Sequence, residues 1–221
     1  MERSNVWSSY NDDQLTELEH ISALYKKCLD EGKTERECVK IAVRMAEEKG
    51  YRDLKELIRT GSQIKTGDKV YAICMNKSIS LFNIGKKPLE EGMNILGAHI
   101  DSPRMDVKQN PLYESDEFAY LDTHYYGGIK KYQWTCVPLA IHGVVCKKDG
   151  SQVTVTVGEE ETDPILVVSD LLIHLSADQM KKTLAEGIAG EQLNVILGTE
   201  PLEGEGSDLV KLNIMRLLNE K

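Results

Sequence analysis

The stretch from Asn94 to Pro103 constrains this chain more than any other. Its apolar run, Ile95 to Ala98, predicts a short buried strand that ends in His99 and Asp101, two residues apart. Alternate residues of an extended segment point to the same side. Both side chains are therefore expected to face one site at the carboxyl end of the strand, where ligand sites of open α/β sheets lie. A metal-binding histidine usually donates its second ring N–H to a carboxylate, which fixes its tautomer. The pair suits a hydrolytic metal site. His-x-Asp is short, however, and a polar strand end with an Asp turn before Pro103 explains the same residues.

At 221 residues the chain can bury a sizeable core in one large domain or two small ones. Its net charge of -9 and pI near 5.2 argue against a nucleic-acid partner, which wants a basic face. No apolar run approaches the ~20 residues of a membrane span. The start, Met-Glu-Arg-Ser, lacks the apolar core of a signal peptide. The five cysteines are odd in number and scattered, with no C-x-x-C pair. They are expected to be free, mostly buried thiols in a reducing compartment, which points to the cytoplasm.

The first sixty residues predict helices. Leu15, Leu18, Ile21, Tyr25, Cys28 and Leu29 recur at helical spacing after an N-cap at Asn11, and Thr34 with Glu37 makes a capping box for a second helix. Val70 to Met75 and Ile79 to Ile84 flank a turn and predict a hairpin, and a strand follows around Met105 to Lys108. Residues 110–128 read as an irregular, tyrosine-rich segment. Leu139 to Cys146 and Val153 to Val157 form a second predicted hairpin across Lys147 to Gly150. Ser176 with Gln179 predicts a helix through Glu186, and Leu193 to Leu197 a strand. A domain boundary is expected near residue 110, giving parts 1–110 and 111–221. Ser207 is expected to cap a last helix still in register at Lys221, a pattern that suits a C-terminal helix and equally a chain cut inside a larger protein.

A catalytic zinc site needs about three protein ligands. Of the remaining histidines, His20 reads as surface, His124 lies in the tyrosine-rich segment, and His142 reads as a structural strand residue. His174, among apolar neighbours in Leu171 to Leu175, reads as a satisfied core histidine. A hydrolytic site also needs a general base, commonly a glutamate. The acid pairs Glu47-Glu48, Glu90-Glu91 and the run Glu159 to Glu161 each read as a solvated face. No nucleophile elbow, P-loop or dinucleotide fingerprint occurs, which leaves little for an unrelated α/β hydrolase. Trp134 reads as a packing anchor.

Four pieces taken in order carry a resemblance: Gly97 to Pro103, Tyr126 to Trp134, Pro138 to Gly143, and Leu171 to Leu175. That order resembles the M18 metalloaminopeptidases (aspartyl aminopeptidase-like), especially the bacterial branch, through essentially the whole chain. The resemblance implies an α/β fold, with a zinc-peptidase-like α/β/α catalytic domain interrupted by an inserted, mostly β dimerisation domain. Residues to about 110 would form the first part of the catalytic domain and the rest would belong to the insertion. It implies two metal ions, usually zinc with cobalt or manganese as substitutes, activating a water against the N-terminal peptide bond of peptide substrates. His99 matches the first metal ligand and Asp101 its acidic partner. His174 matches a histidine assigned either to zinc or to a neighbouring subunit's site in a homo-oligomer. The bridging aspartate, the Glu-Glu pair and the remaining ligands would lie beyond the insertion, so the chain resembles the N-terminal half of such an enzyme. The rival expectation is a non-catalytic assembly or regulatory module derived from one.

Overall fold

The computed structural model describes residues 5–220. These divide into two compact units, the first ending at Ser102 and the second beginning at Pro103.

In the first unit, helix α1 (Asp12–Glu31) starts where Asn11 Oδ1 accepts the Gln14 N–H at 2.9 Å and the Gln14 side chain accepts the Asn11 N–H at 3.1 Å. Helix α2 (Glu35–Glu48) starts the same way on Thr34 and Glu37. Each box satisfies amide groups that a helix start otherwise leaves without partners. The junction between the helices needs glycine. A Cβ on Gly32 would lie 2.8 Å from the Cys28 carbonyl oxygen and 3.0 Å from Cys38 Sγ. Strand β1 (Arg52–Asp53) runs into the short helix α3 (Leu54–Arg59). It pairs in parallel with β2 (Lys69–Cys74), which pairs antiparallel with β3 (Ser78–Asn83), giving a sheet of order β1-β2-β3. The hairpin turns through Met75 and Asn76, both at positive φ (52° and 56°), which matches the right-handed strand twist. Val39, Ile41, Ala46, Leu57, Val70 and Tyr71 are buried, and the Tyr71 hydroxyl donates to Glu47 Oε1 at 2.8 Å. Glu47 is thus a pin between α2 and β2 as well as a solvated acid.

The expected strand at Ile95–Ala98 does not form. Residues 92–103 carry no regular structure, and Leu96 is fully exposed. A strand needs neighbours for its backbone groups and side chains. Neither edge of the β1-β2-β3 sheet takes it up.

In the second unit, β4 (Arg104–Ser115) and β5 (Phe118–Tyr126) form a long antiparallel hairpin, and β8 (Val195–Gly198) adds to β5. This corrects the reading of residues 110–128 as irregular, and Asn110 lies within β4. The turn is built on Asp116 and Glu117 at positive φ (51° and 65°), without the Asn-Gly or Asp-Gly pair that advertises such turns. Hairpin β6 (Ile141–Cys146) with β7 (Gln152–Val157) forms where expected. It leads into Gly158 at φ +105°, where a Cβ would lie 2.9 Å from the Leu139 carbonyl oxygen. The core gathers Ala119, Leu121, Leu166, Val168, Leu193 and Val195, with Trp134 packed against it as an anchor. Helix α4 (Leu209–Glu220) closes that core with Val210 and Ile214; it begins after Asp208, one residue beyond the expected cap. Burying one such aliphatic side chain contributes about 1.5–3 kcal/mol.

The helix expected from Ser176 to Glu186 is absent; only two 3-10 turns, Ile173–Leu175 and Gln179–Lys181, occupy that region. The buried Ser176 hydroxyl bonds back to the Ile173 carbonyl at 3.0 Å instead of forward to Gln179. All five cysteines are free, as expected, but they are not mostly buried: Cys28 and Cys38 are half-buried and Cys74, Cys136 and Cys146 are exposed. Two of the latter sit at strand ends and Cys136 in a loop, where a small side chain has nothing to pack under.

Candidate metal centre

His99 and Asp101 meet without a strand to hold them. His99 Nδ1 lies 3.0 Å from the Asp101 backbone oxygen and 3.3 Å from its carboxylate Oδ1. Both partners are acceptors, so Nδ1 carries the proton and Nε2 is the nitrogen left for a metal. A histidine that ligates a metal is commonly oriented by a backbone carbonyl or a carboxylate at its other ring nitrogen, and this local bend of the chain places both beside His99 Nδ1. The imidazole is 85% exposed, so nothing else around it fixes its orientation.

The donor set fits one corner of a zinc site and no more. Among the described residues no group of three or more His, Cys, Asp or Glu side chains could hold a metal ion. His174 lies in the second unit, in the turn Ile173–Leu175. It is exposed, as are Leu171, Leu172, Ile173 and Leu175 around it. This corrects its reading as a core histidine. Apolar neighbours in sequence pack a histidine only when the segment itself is covered.

The other histidines have plain surroundings. His20 is exposed on α1, and His124 is exposed on β5 rather than in a loop. His142 Nε2 meets Glu159 Oε1 at 2.7 Å, tying β6 to the loop after β7, which gives one of the three clustered glutamates a partner.

Further charged contacts lie on the β4–β5 hairpin. The Arg104 guanidinium sits 4.2 Å from the Tyr126 ring centre and donates to Asp106 at 2.7 Å. Lys108 bridges Asp122 at 3.0 Å and Glu191 at 2.6 Å, and these hydrogen bonds raise its pKa. Two cations face three carboxylates here, so the cluster leaves no positive charge over for a substrate. Only the finished register pairs these residues. Alternation at positions 104, 106 and 108, and at 122, 124 and 126, was the one clue in the sequence. A cleft of about 260 Å³ between β6, β7, β8 and α4 is lined by Ile141, Val157, Pro164, Leu166, Leu197 and Ile214. Its walls are mostly apolar, with Thr162 and Glu220 the polar residues of the lining.

The profile of the aminopeptidase I zinc metalloproteases (M18) matches residues 28–221. The chain belongs to this M18 family. A probable M18 family aminopeptidase 1 from Clostridium acetobutylicum is 52% identical over all of this chain and 48% of its own length. The crystal structure of an M18-family aminopeptidase from Thermotoga maritima superposes with a TM-score of 0.89 at 40% identity, covering 100% of this chain and 47% of that one. The fold likeness extends to the S. cerevisiae mApe1 dodecamer, with a TM-score of 0.63 at 19% identity over 92% of this chain and 44% of that one. The fold is thus a mixed α/β arrangement similar to M18 structures. The chain spans about half the length of the curated M18 relatives it matches. No helix among the described residues is long and apolar enough to cross a membrane.

Proposed function

We propose that this chain is the N-terminal portion of a zinc-dependent aminopeptidase that releases N-terminal amino acids from peptides. The observation that carries this reading is the His99–Asp101 pair, a carboxylate-backed histidine in a chain that matches M18 along nearly its whole length. His99 Nε2 would be a metal ligand, and Asp101 would hold the imidazole in the tautomer that presents it. Zinc, when bound, supplies Lewis-acid polarisation of the scissile carbonyl and lowers the pKa of a water. Two ions are expected in the complete site, with cobalt or manganese as substitutes, since histidine and carboxylate ligands suit all three. The remaining ligands and the proton-shuttling glutamate would come from the half of the M18 length that this chain does not match.

His174 would act as a metal ligand or as a contact to a neighbouring subunit's centre. Its exposed turn supports a role outside its own unit. The second unit would be the inserted dimerisation domain of a homo-oligomer, a role its long hairpin suits. The yeast structure, described as a dodecamer, sets the precedent for assembly. Five free cysteines support a reducing, cytoplasmic setting.

The test joins this chain to the unmatched half of the Clostridium acetobutylicum relative and measures zinc per chain and aminopeptidase turnover. His99→Ala should lose at least one zinc per chain and nearly all turnover; unchanged metal content with full activity would overturn the assignment. One observation favours the rival, a non-catalytic assembly module: the absence of any three-residue metal group among the described residues. That reading expects the joined chain to oligomerise without zinc.

A further inference from the structure

Helix α1 buries none of its residues, and Ile21, Tyr25 and Leu29 along it are exposed. What holds it to α2 gathers at the junction, residues 32–34. Arg44 on α2 donates to Glu31 on α1 at 2.8 Å. Cys38 Sγ lies 3.6 Å from the Gly32 carbonyl oxygen, in the notch that the missing Gly32 side chain leaves open. The Cys28 carbonyl oxygen borders the same notch, since a Cβ on Gly32 would lie 2.8 Å from it and 3.0 Å from Cys38 Sγ. Two backbone bonds fix where these cysteines stand. The Gly32 N–H donates to the Cys28 carbonyl at 2.9 Å, and the Cys38 N–H donates to the Thr34 carbonyl at 3.0 Å. Each bond spans one helical turn, so Cys28 on α1 and Cys38 on α2 lie one turn to either side of the junction. Both are half-buried, free thiols.

We infer that Cys28 and Cys38 form a reversible thiol–disulfide latch, which fixes α1 against α2 when a hydroperoxide oxidises the pair. The step consumes two thiols and one hydroperoxide. Cys28 Sγ, as the thiolate, attacks a peroxide oxygen. The O–O bond breaks, Cys28 becomes a sulfenic acid, and water or an alcohol leaves with the thiol proton. Cys38 Sγ then attacks Cys28 Sγ; the S–S bond forms, the S–O bond breaks, and hydroxide departs as water with the Cys38 proton. Both sulfurs are oxidised and the peroxide is reduced. The surroundings divide the roles. The Glu31 hydrogen bond raises the Arg44 pKa and the Cys28 thiolate adds to the rise, so Cys28 has a cation within electrostatic reach. Burial pushes the Cys38 thiol up, and the charges of Glu37, Glu35 and Cys28 push it further, so Cys38 keeps its proton longer. In a reducing setting such a pair rests as two thiols and closes transiently, as redox sensors do. The tie matters most for a helix that buries nothing, because such an element opens locally at little cost.

The test uses the chain with Cys74, Cys136 and Cys146, all exposed, changed to serine, which leaves the pair alone. The protein is treated with equimolar hydrogen peroxide, its remaining thiols are alkylated, and its tryptic peptides are weighed without reductant. Peptides 28–33 and 37–40 should appear as one linked species, and dithiothreitol should separate them. Amide exchange at residues 24–32 should slow about ten-fold or more in the linked chain, as expected of a cross-link over a short loop. Exchange in the second unit should stay the same. With Cys38→Ser added, dimedone should trap a sulfenic acid at Cys28. With Cys28→Ser added, peroxide should leave Cys38 a thiol. Two alkylated cysteines after peroxide would overturn the inference, as would links only between separate chains, or equal exchange at 24–32 in the linked and reduced chains. No metal or peptide enters the assay, so its outcome is independent of the aminopeptidase reading.

Discussion

Asn194-Val195-Ile196-Leu197-Gly198 and Asn94-Ile95-Leu96-Gly97 are nearly the same peptide with opposite fates. The first is strand β8, paired with β5 and buried at Val195 and Leu197 (6% each). The second has no strand partner and leaves Leu96 in solvent. Both read equally well as strands, because intrinsic β preference is mostly a preference for a pleated, half-buried surface. What differs is the surroundings. β8 lies beside a nine-residue strand and under α4, whereas the β1-β2-β3 sheet does not take up the other segment.

Matched substitutions would break this comparison most directly. Leu197→Ala should cost about 2–5 kcal/mol of stability in the second unit, as expected for a buried aliphatic. Leu96→Ala should stay within about 0.5 kcal/mol, as at an exposed site. Urea titrations of both variants check this, and equal costs would mean that the two segments share an environment after all. The asparagines come next. Asn194 accepts the Thr123 N–H at 3.2 Å and donates to the Tyr113 hydroxyl at 3.0 Å. Asn194→Ala should therefore cost about 1–3 kcal/mol, because it leaves half-buried polar groups without partners. Asn94→Ala should be silent by the same titration. The glycines sharpen the contrast further. A Cβ on Gly198 would lie 3.0 Å from Ile214 Cδ1, whereas one on Gly97 meets nothing within 4 Å. Gly198→Ala should destabilise by about 1 kcal/mol through overpacking, and thermal melts should show no matching loss for Gly97→Ala.

The smallest effect belongs to β2, a strand of the first unit that did find cover. Burial and the bond to Glu47 push the Tyr71 phenol up to about 12. The neutral phenol is the favoured folded form, so its stabilisation is complete below about pH 10, the ordinary tyrosine value, and is lost as pH rises towards 12. Tyr71→Phe should lower stability near neutral pH by about 1 kcal/mol and flatten the alkaline decline. Phenolate absorbance together with denaturation at pH 9 to 12 checks both.

Local signals were legible in the sequence where the local sequence alone decides the structure. The capping residues Asn11, Thr34 and Glu37 start helices with side chains within one turn, and the β6–β7 hairpin follows from a four-residue loop. What depends on distant partners was not legible. The Asp116-Glu117 turn carries no sequence marker, so only the start of β4, near Met105 to Lys108, shows in the sequence and its pairing with β5 does not. Ser176 looked like a helix cap, yet its hydroxyl found a nearer carbonyl. The neighbourhood of His99 and Asp101 follows from their spacing, although a bend and not a strand brings them together. His174 gave no usable pattern signal, because its neighbours are apolar and exposed at once.

The three exposed thiols have a practical consequence. Cys74 closes β2 in the first unit, and Cys146 closes β6 in the second. With Cys136 changed to serine, maleimide dyes would go first to these two positions and to the half-buried Cys28 and Cys38 last. Energy transfer between a donor and an acceptor would then follow the two units in solution as a second polypeptide or zinc is added. The chain thus carries its own optical ruler, and for the same reason it needs a reductant from the first purification step onward.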